Sequence, residues 1–401
     1  MSLLPTSLAD RVDRFLAAPE GTTSADAVDV LVADLVTFVD GKSTDTFHAL
    51  MAELREVGAY PLTLRILASA WSGTLSDTMA GEVLEDWIGT LLHGLGDREA
   101  AIDIIDFVTP DALSRGAAFA SDLGDLFLSW GLRAQASPLI KFALSKNPGD
   151  VSARYNLGII HKFAGEYDES AAAFREVLVH QPEEKGALWS LGIALTAVRD
   201  FAGARTAWQR LGIVVPESDG DYARPGERLP IRVSAHADAP VQAEVVWGDR
   251  LCPARARVTG IPRYGGLAAF GDVVLVDGAS IGEVPGPHEG DRVAIVECLS
   301  LFSEAKGRLY RLRGGPGDSP SPADAERLAV ALRGLGYASI NWSGVGPDSA
   351  AVGVVLAAGE PLTELAAAVS ELTTDTRLFC PELEAEAGLP VRRAPATLSA
   401  F

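Results

Sequence analysis

The sequence has 401 residues, 48% of them hydrophobic, which is enough apolar material for two or three packed domains. Its apolar runs are shorter than the roughly 18 to 20 residues of a membrane span, and the start lacks a signal-peptide layout, so we expect a cytoplasmic protein without a membrane partner. The formal net charge of −20 repels phosphate backbones and argues against a nucleic-acid partner.

Residues 1–116 are predicted to form helical hairpins of a degenerate repeat. Residues 7–17 would be a short capping helix. Glycine-led turns are expected at Gly58 and at Gly96, which lie 73 and 35 residues before the similar turn at Gly131. This spacing is close to that of a regular helical repeat. The segment is therefore interpreted as degenerate copies of the clearer repeats that follow.

A period of 34 residues runs without a gap through residues 117–218. The copies are residues 117–150, 151–184 and 185–218. The turn at Gly165 recurs 34 residues earlier at Gly131 and 34 residues later at Arg199. Gly158 and Gly192 are predicted to let the two helices of a hairpin approach closely. Each copy closes with a proline, which ends its second helix; these are Pro148, Pro182 and Pro216.

This pattern resembles the tetratricopeptide repeat family. The resemblance implies an all-α helical solenoid that binds a peptide or helix of another protein in a concave groove lined by the first helix of each copy. Carried over by position, the predicted peptide groove contains Tyr155, Asn156, Ile159, Lys162, Phe163, Trp189 and Ile193. Flanking positions are Ser190, Thr196, Ser121, Asp122, Asp125 and Leu128. The aromatic residues among them are also common packing residues of such repeats, so both roles stay open.

After a linker at 219–229, residues 230–313 are predicted to form a small β-rich, barrel-like module. Short β-branched runs bounded by Gly, Pro or Asp indicate strands at 230–236, 241–247, 255–261, 272–276 and 292–298. Five short strands suit a small barrel or a strongly bent sheet.

A second linker at 314–322 precedes an α+β module at 323–395. The predicted elements are a strand at 307–313, a helix at 323–335, strands at 337–342 and 351–357, a helix at 361–372 and a strand at 376–380. This is the β-α-β-β-α-β order of ferredoxin-like folds. From Ala243–Gly248 and Phe270–Val274 onward, the layout resembles a bacterial domain family of uncharacterised function, which implies a fold but no activity.

A group of arginines stands out in this half of the chain. Its members are Arg255, Arg257, Arg263, Arg308 and Arg311. If the strands at 255–261 and 307–313 were neighbours, these side chains would share a basic face for an anionic ligand or for docking on the acidic solenoid. The alternative is that they are ordinary solvated side chains on separate strands.

The sequence lacks the motifs of common catalytic sites. It has no GxxxxGK[ST] loop, no HExxH and no GxSxG. Three isolated cysteines form no CxxC pair, and His161 with His180 is too small a set for a metal site, so neither a metal nor a cofactor is expected. The one nucleophile and base set that can be named is Cys252 with His236 and His288.

Three functions are compatible with these features. The first is a non-enzymatic adaptor or scaffold that binds a protein partner in the predicted peptide groove. The second is an acidic, immunity-type inhibitor of a basic toxin or effector, suggested by the net charge. The third is anionic small-molecule binding, or an enzyme activity, in the C-terminal module.

Overall fold

The structure of this chain is a computed structural model. It describes residues 4–18, 25–39, 44–71, 75–215, 227–233, 244–263, 266–286, 290–314, 321–343, 350–374 and 378–391. The chain divides into two compact units, which are Met1–His161 with Ala172–Pro182, and Lys162–Ala171 with Glu183–Phe401. Within the described ranges, every helix is too short or too polar to cross a bilayer.

The N-terminal part of the first unit is helical. Its helices are α1 (Thr6–Ala17), α2 (Ala25–Val39), α3 (Thr44–Glu56), α4 (Tyr60–Ala70), α5 (Asp77–Gly89), a π-helix (Thr90–Leu95) and α6 (Arg98–Arg115). Helix α4 packs against α2, α3 and α5. Leu54, Leu62 and Leu84 are fully buried among these helices. Gly58 and Gly96 follow helix ends with φ of 73° and 67°, a conformation that a residue without Cβ adopts at little cost.

Two helices occupy each of the three predicted repeat copies. They are α7 (Ala117–Ser129), α8 (Arg133–Lys146), α9 (Val151–Ala164), α10 (Tyr167–His180), α11 (Lys185–Ala197) and α12 (Phe201–Arg210). The turns contain Gly131 at φ 71° and Gly165 at φ 78°, whereas the third copy places Arg199 at φ 65°. Pro216, the predicted end of the third copy, lies outside the described residues.

Within each copy, a glycine of the first helix faces a large side chain of the second. The pairs are Gly124 with Ile140, Gly158 with Phe174 and Gly192 with Trp208. A Cβ at residue 192 would lie 2.5 Å from Cζ2 of Trp208, closer than carbon atoms can pack. The close helix approach predicted at Gly158 and Gly192 is therefore confirmed, and the large partner fills the space that the glycine leaves.

The second unit contains a closed five-stranded barrel. Its strands are β1 (Arg228–Arg232), β2 (Val245–Cys252), β3 (Arg255–Val258), β4 (Val273–Pro285) and β5 (Arg292–Ser303). Successive strands pair antiparallel, and β1 closes on β5 in parallel. The interior holds fully or almost fully buried side chains that include Ile231, Val258, Val274 and Val296. The predicted linker at 219–229 and parts of the strands predicted at 230–236 and 241–247 lie outside the described residues.

Strand β4 is longer than the sequence predicts, because it continues from residue 276 to Pro285. The first four residues beyond Val276 are Asp, Gly, Ala and Ser, which neither alternate in hydrophobicity nor favour strands. The pairing with β5 extends to Pro285 opposite Arg292, with several register shifts along the way. From Gly278 onward, backbone pairing with β5 rather than side-chain burial therefore defines this extension.

A three-stranded sheet with helices follows the barrel in the second unit. Its elements are β6 (Arg308–Arg313), α13 (Pro322–Gly334), β7 (Ala338–Asn341), β8 (Ala350–Leu356), α14 (Leu362–Leu372) and α15 (Pro381–Glu386). The strand order is β6-β8-β7. Of the strand predicted at 376–380, Phe379 forms an isolated bridge with Arg313, and residues 376 and 377 lie outside the described ranges, as does most of the linker predicted at 314–322. The ferredoxin-like order stays a prediction.

Candidate functional site

The residues of the predicted peptide groove belong to both compact units. Tyr155, Asn156 and Ile159 lie in the first unit, and Lys162, Phe163, Trp189 and Ile193 lie in the second. The two sets have different surroundings.

Lys162 is predicted to face an open groove, but its surroundings in the second unit are closed. The residue is 3% exposed, and its Nζ lies 2.8 Å from Oδ2 of Asp277 on β4. Asp277 is itself 4% exposed, and the Oγ of Ser190 lies 3.5 Å from the same Nζ. Because a buried ammonium needs a buried partner, Asp277 compensates the charge of this lysine inside the second unit. Its expected role in ligand binding stays a prediction, and a ligand there would have to displace Asp277.

Trp189 and Ile193 of α11 are also used for internal packing. The Trp189 ring lies edge-on to the Trp208 ring, with centroids 5.0 Å apart. Gly278 of β4 approaches the Trp189 ring so closely that a Cβ there would lie 2.1 Å from Cζ2. Ile193 is fully buried. Of the two roles that the sequence left open for the Trp189 aromatic ring, packing is the one observed.

Strand β5 makes further contacts with the turns of the repeats in the second unit. The hydroxyl groups of Tyr167 and Ser300 lie 2.7 Å apart, and burial raises the pKa of Tyr167. The Arg199 guanidinium lies 4.4 Å from the ring centroid of Phe302 and donates a hydrogen bond to its carbonyl oxygen. In the other two copies a glycine occupies this left-handed position. Arg199 occupies it in the third copy, where its side chain contacts β5.

Replacing Gly278 by alanine is expected to lower the free energy of unfolding by about 1–3 kcal/mol, because the new methyl group displaces the Trp189 ring. Urea unfolding followed by tryptophan fluorescence measures the change. Gly334→Ala is the matched control, since a Cβ at Gly334 meets open space. Equal unfolding free energies for the two variants would contradict the close contact.

In the first unit, the predicted groove residues are involved in internal contacts. Tyr155 lies edge-on to Phe174, with ring centroids 5.5 Å apart. Asn156 is 5% exposed, and its amide donates a hydrogen bond of 3.1 Å to Asp125. Ile159 is half-buried. Asn156 therefore orients an acidic side chain of the preceding repeat instead of facing solvent.

The arginines predicted to share a basic face lie on different elements. Strand β3 belongs to the barrel and β6 to the three-stranded sheet, so the strands expected to be neighbours are not. Arg255 is 7% exposed and its guanidinium stacks over Phe201 and Phe302, at 5.2 and 5.1 Å from the ring centroids. Arg263 is buried and donates to the carbonyl oxygen of Trp342. Arg255 therefore docks the barrel on α12.

The other three arginines of this group have different surroundings, and among them Arg311 contacts another member, Arg263. Arg311 donates to the carbonyl oxygen of Arg263, Arg308 forms an ion pair of 2.8 Å with Glu386, and Arg257 is exposed on β3. A common anion site is not formed by these side chains.

The three cysteines are buried and free. Burial raises the pKa of Cys298 to about 12 and that of Cys380 to about 11, so these thiols stay protonated at neutral pH. The Sγ of Cys252 accepts a hydrogen bond from Arg255. His236 and His288, the bases suggested for Cys252, lie outside the described residues.

An open cavity of about 520 Å³ lies in the first unit, between α5 and α7. We call it the acidic groove. It is lined by Asp77, Thr78, Gly81, Glu82, Glu85, Ala118, Phe119, Asp122, Leu123, Asp125, Leu126 and Ser129. Five of these residues carry carboxylates, and none of the described lining residues is a lysine or arginine. Buried Phe119 and Leu123 form an apolar floor beneath them.

The carboxylates of the acidic groove repel one another. Partial burial, followed by the charges of Asp150 and Asp125, raises the pKa of Asp122. Arg115 approaches the groove from α6, with its NH1 3.3 Å from Asp77 Oδ1, but its Nε is hydrogen-bonded to Asp111. A positively charged ligand would therefore relieve repulsion in the groove and would also contact its apolar floor.

The sequence predicted the α7 side of the acidic groove but not the α5 side. Asp122 and Asp125 were placed on the inner face of α7, and both line the groove, whereas Ser121 is buried. Glu82 and Glu85 of α5 repeat the same three-residue spacing 40 residues upstream. The turns at Gly96 and Gly131 are only 35 residues apart, so aligning the repeats on their turns does not bring these acidic pairs into register. The π-helix at Thr90–Leu95 accounts for the difference, because it adds residues between α5 and the turn at Gly96.

Comparisons with known proteins bear on the repeats. Residues 161–221 match the family model described as "Tetratricopeptide repeat". Similar solved structures include "MamA 41-end from Desulfovibrio magneticus RS-1", at 20% identity and TM-score 0.32 over 42% of this chain and 93% of that chain. "MamA RS-1 ArsTM double mutant" is 19% identical, with TM-score 0.32 over 42% of this chain and 92% of that chain. A comparison with curated proteins gives no match. The resemblance to tetratricopeptide repeats, predicted from the 34-residue period, is therefore confirmed by a family model over residues 161–221.

Proposed function

We propose that this chain is a non-enzymatic scaffold that binds a basic, amphipathic segment of a partner protein in the acidic groove of α5 and α7. The observation that carries the proposal is the lining of that groove by five carboxylates over an apolar floor. Repeats of this kind act through their surfaces, which favours a role in protein interaction over one in catalysis.

The location of the internal contacts supports the choice of the first unit. In the second unit, the inner face of α11 is covered by β4 through the Lys162–Asp277 pair and the Trp189–Gly278 contact. A partner would have to displace a buried ion pair to bind there. The acidic groove needs no such rearrangement, because its carboxylates and apolar floor border an open cavity.

The groove chemistry defines the ligand class. Lysine or arginine side chains of the partner would pair with Glu82, Glu85, Asp122 and Asp125, and an apolar residue between them would cover Phe119 and Leu123. Because the charged walls are exposed, salt should weaken the complex strongly, while the apolar contact should be less sensitive to salt.

The absence of catalysis is part of this proposal. Two of the three thiols are held protonated by burial, and the arginines that might bind an anionic substrate are dispersed. The inhibitor of a basic toxin is a special case of a basic partner, and it would be distinguished by a much larger interface than one groove provides.

The triple variant Glu85→Gln, Asp122→Asn, Asp125→Asn is expected to weaken binding of a basic amphipathic peptide at least tenfold, since each exposed charge pair contributes about 0.5 kcal/mol or more. Fluorescence anisotropy with a labelled peptide of alternating lysine and leucine pairs measures the dissociation constant at low and high salt. These substitutions remove charge and leave side-chain volume nearly unchanged.

The matched control is Asp13→Asn, Asp103→Asn, Asp106→Asn, which removes three exposed carboxylates of α1 and α6 outside the groove. The control should bind the peptide almost as well as the unmodified chain. Equal weakening in both triple variants would show attraction to overall charge alone and would refute the groove as the binding site.

A further inference from the structure

A histidine of α3 faces three acidic residues of α5. Glu82, Glu85 and Asp86 are spaced so that they share one face of their helix. The Nδ1 of His48 lies 2.7 Å from Oδ2 of Asp86, and its Nε2 is in contact with the carboxylate of Glu82. One imidazole is therefore placed between a buried and an accessible carboxylate, since the Asp86 side chain is 3% exposed and that of Glu82 is 27% exposed.

Asp86 is held rigidly in this arrangement. Its Oδ1 forms an ion pair of 2.5 Å with NH1 of Arg55, and the hydroxyl of Thr90 donates to its backbone carbonyl oxygen. The Oδ2 of Asp86 lies beside Nδ1 without a hydrogen bond of good geometry, and a small rotation of the imidazole would let Nδ1 donate to it. That hydrogen bond would leave the lone pair of Nε2 for a ligand. This is the outer contact that orients histidine ligands in many metal sites.

Three potential ligand atoms converge on the accessible side. His48, Glu82 and Glu85 each offer one nitrogen or oxygen atom, and these atoms lie within 4.8 Å of one another. Ligand atoms of a tetrahedral zinc ion are about 3.4 Å apart, so modest side-chain rotation would bring all three to one ion. His48 is 34% exposed, and this leaves an open position for water.

We propose that His48, Glu82 and Glu85 form a binding site for a divalent transition-metal ion of the zinc class, with Asp86 as the outer partner of His48. One imidazole with two carboxylates suits such borderline ions better than calcium or magnesium, which take oxygen ligands. The two ligand carboxylates neutralise the ion, and Arg55 neutralises Asp86. The site shares Glu82 and Glu85 with the acidic groove, whereas His48 is not among the residues that line the groove, so a His48 variant distinguishes the two sites.

A proton is the competing occupant, since a protonated His48 could pair with Glu82 and Asp86 without any metal. The two cases differ in a spectroscopic signature. The untagged full-length chain, stripped with EDTA, is titrated with Co²⁺, whose visible absorption reports a nitrogen and oxygen ligand set, and then with Zn²⁺ in a calorimeter. We expect one ion per chain, with Zn²⁺ displacing the Co²⁺ spectrum.

His48→Gln and Glu85→Gln should each weaken Zn²⁺ binding at least tenfold, whereas His180→Gln, at an exposed histidine of α10, should leave it unchanged. Glu85 is exposed, so its variant tests the ligand set without endangering the fold. Absence of a Co²⁺ band, or Zn²⁺ affinity unaltered in both ligand variants, would overturn the proposal in favour of the proton. Peptide binding measured in EDTA keeps this result separate from the test of the groove.

Discussion

Replacing Lys162 by methionine is expected to lower the free energy of unfolding by about 3–5 kcal/mol, because it leaves the Asp277 carboxylate buried without its counter-charge. Methionine keeps most of the side-chain volume, so the loss reports on charge. Urea unfolding of the full chain, followed by circular dichroism, gives the free energy.

A second substitution separates the ion pair from general damage. Adding Asp277→Leu to Lys162→Met removes the orphaned charge and should recover most of the lost stability, since a buried pair is often replaceable by apolar side chains. Arg292→Met is the matched control from the same unit, because its ion pair with Glu283 is exposed and should contribute less than about 1 kcal/mol. If Lys162→Met costs no more than Arg292→Met, the lysine is not buried as described.

Replacing Gly192 by leucine is expected to destabilise the third repeat copy by about 3 kcal/mol or more. The Trp208 ring is 2% exposed and already occupies the space where a Cβ of residue 192 would lie. A leucine would add four carbon atoms there and force α11 and α12 apart. Thermal unfolding and the emission of the buried tryptophans would both report the separation.

The compensating variant Gly192→Leu, Trp208→Ala should be more stable than Gly192→Leu alone, because the smaller residue on α12 restores room for the new side chain. Gly334→Leu, in open space on α13, serves as the control for introducing a leucine in place of a helical glycine. A Gly192→Leu variant as stable as Gly334→Leu would contradict the packing of Gly192 against Trp208.

The repeat was predictable because its physical requirements recur in sequence. Each hairpin needs a small residue where its helices cross and a turn that reverses the chain. Gly158 meets the first requirement and Gly165 the second, and similar residues recur 34 positions away in the other copies. The positions of strands β1 to β3 and β5 were also indicated by β-branched runs, and those of β6 to β8 by the predicted alternation of strands and helices. The extension of β4 was not, because its residues from Gly278 to Pro285 are mostly exposed while paired with β5, so no burial pattern marks them in the sequence.

The candidate site was harder to predict from sequence. The position of a residue within a repeat indicates whether it faces inward, but not which part of the chain covers it. Lys162 and Trp189 were therefore predicted to face a ligand, whereas in the structure β4 packs against both. The metal ligands escaped notice because their chemistry depends on contact between α3 and α5. His48 and Glu82 are 34 residues apart, which is the repeat period, and this spacing was the available clue.

The contact of Gly278 with Trp189 has a practical consequence for dividing this chain into pieces. A fragment that ends in the linker predicted at 219–229 would retain Trp189, Ile193 and Lys162 but lose strand β4, which packs against Trp189 and Lys162. In such a fragment the Trp189 ring would be exposed to solvent, and the Lys162 ammonium group would lack its counter-charge. A truncation intended to isolate the helices therefore needs either the barrel left attached or polar replacements on α11.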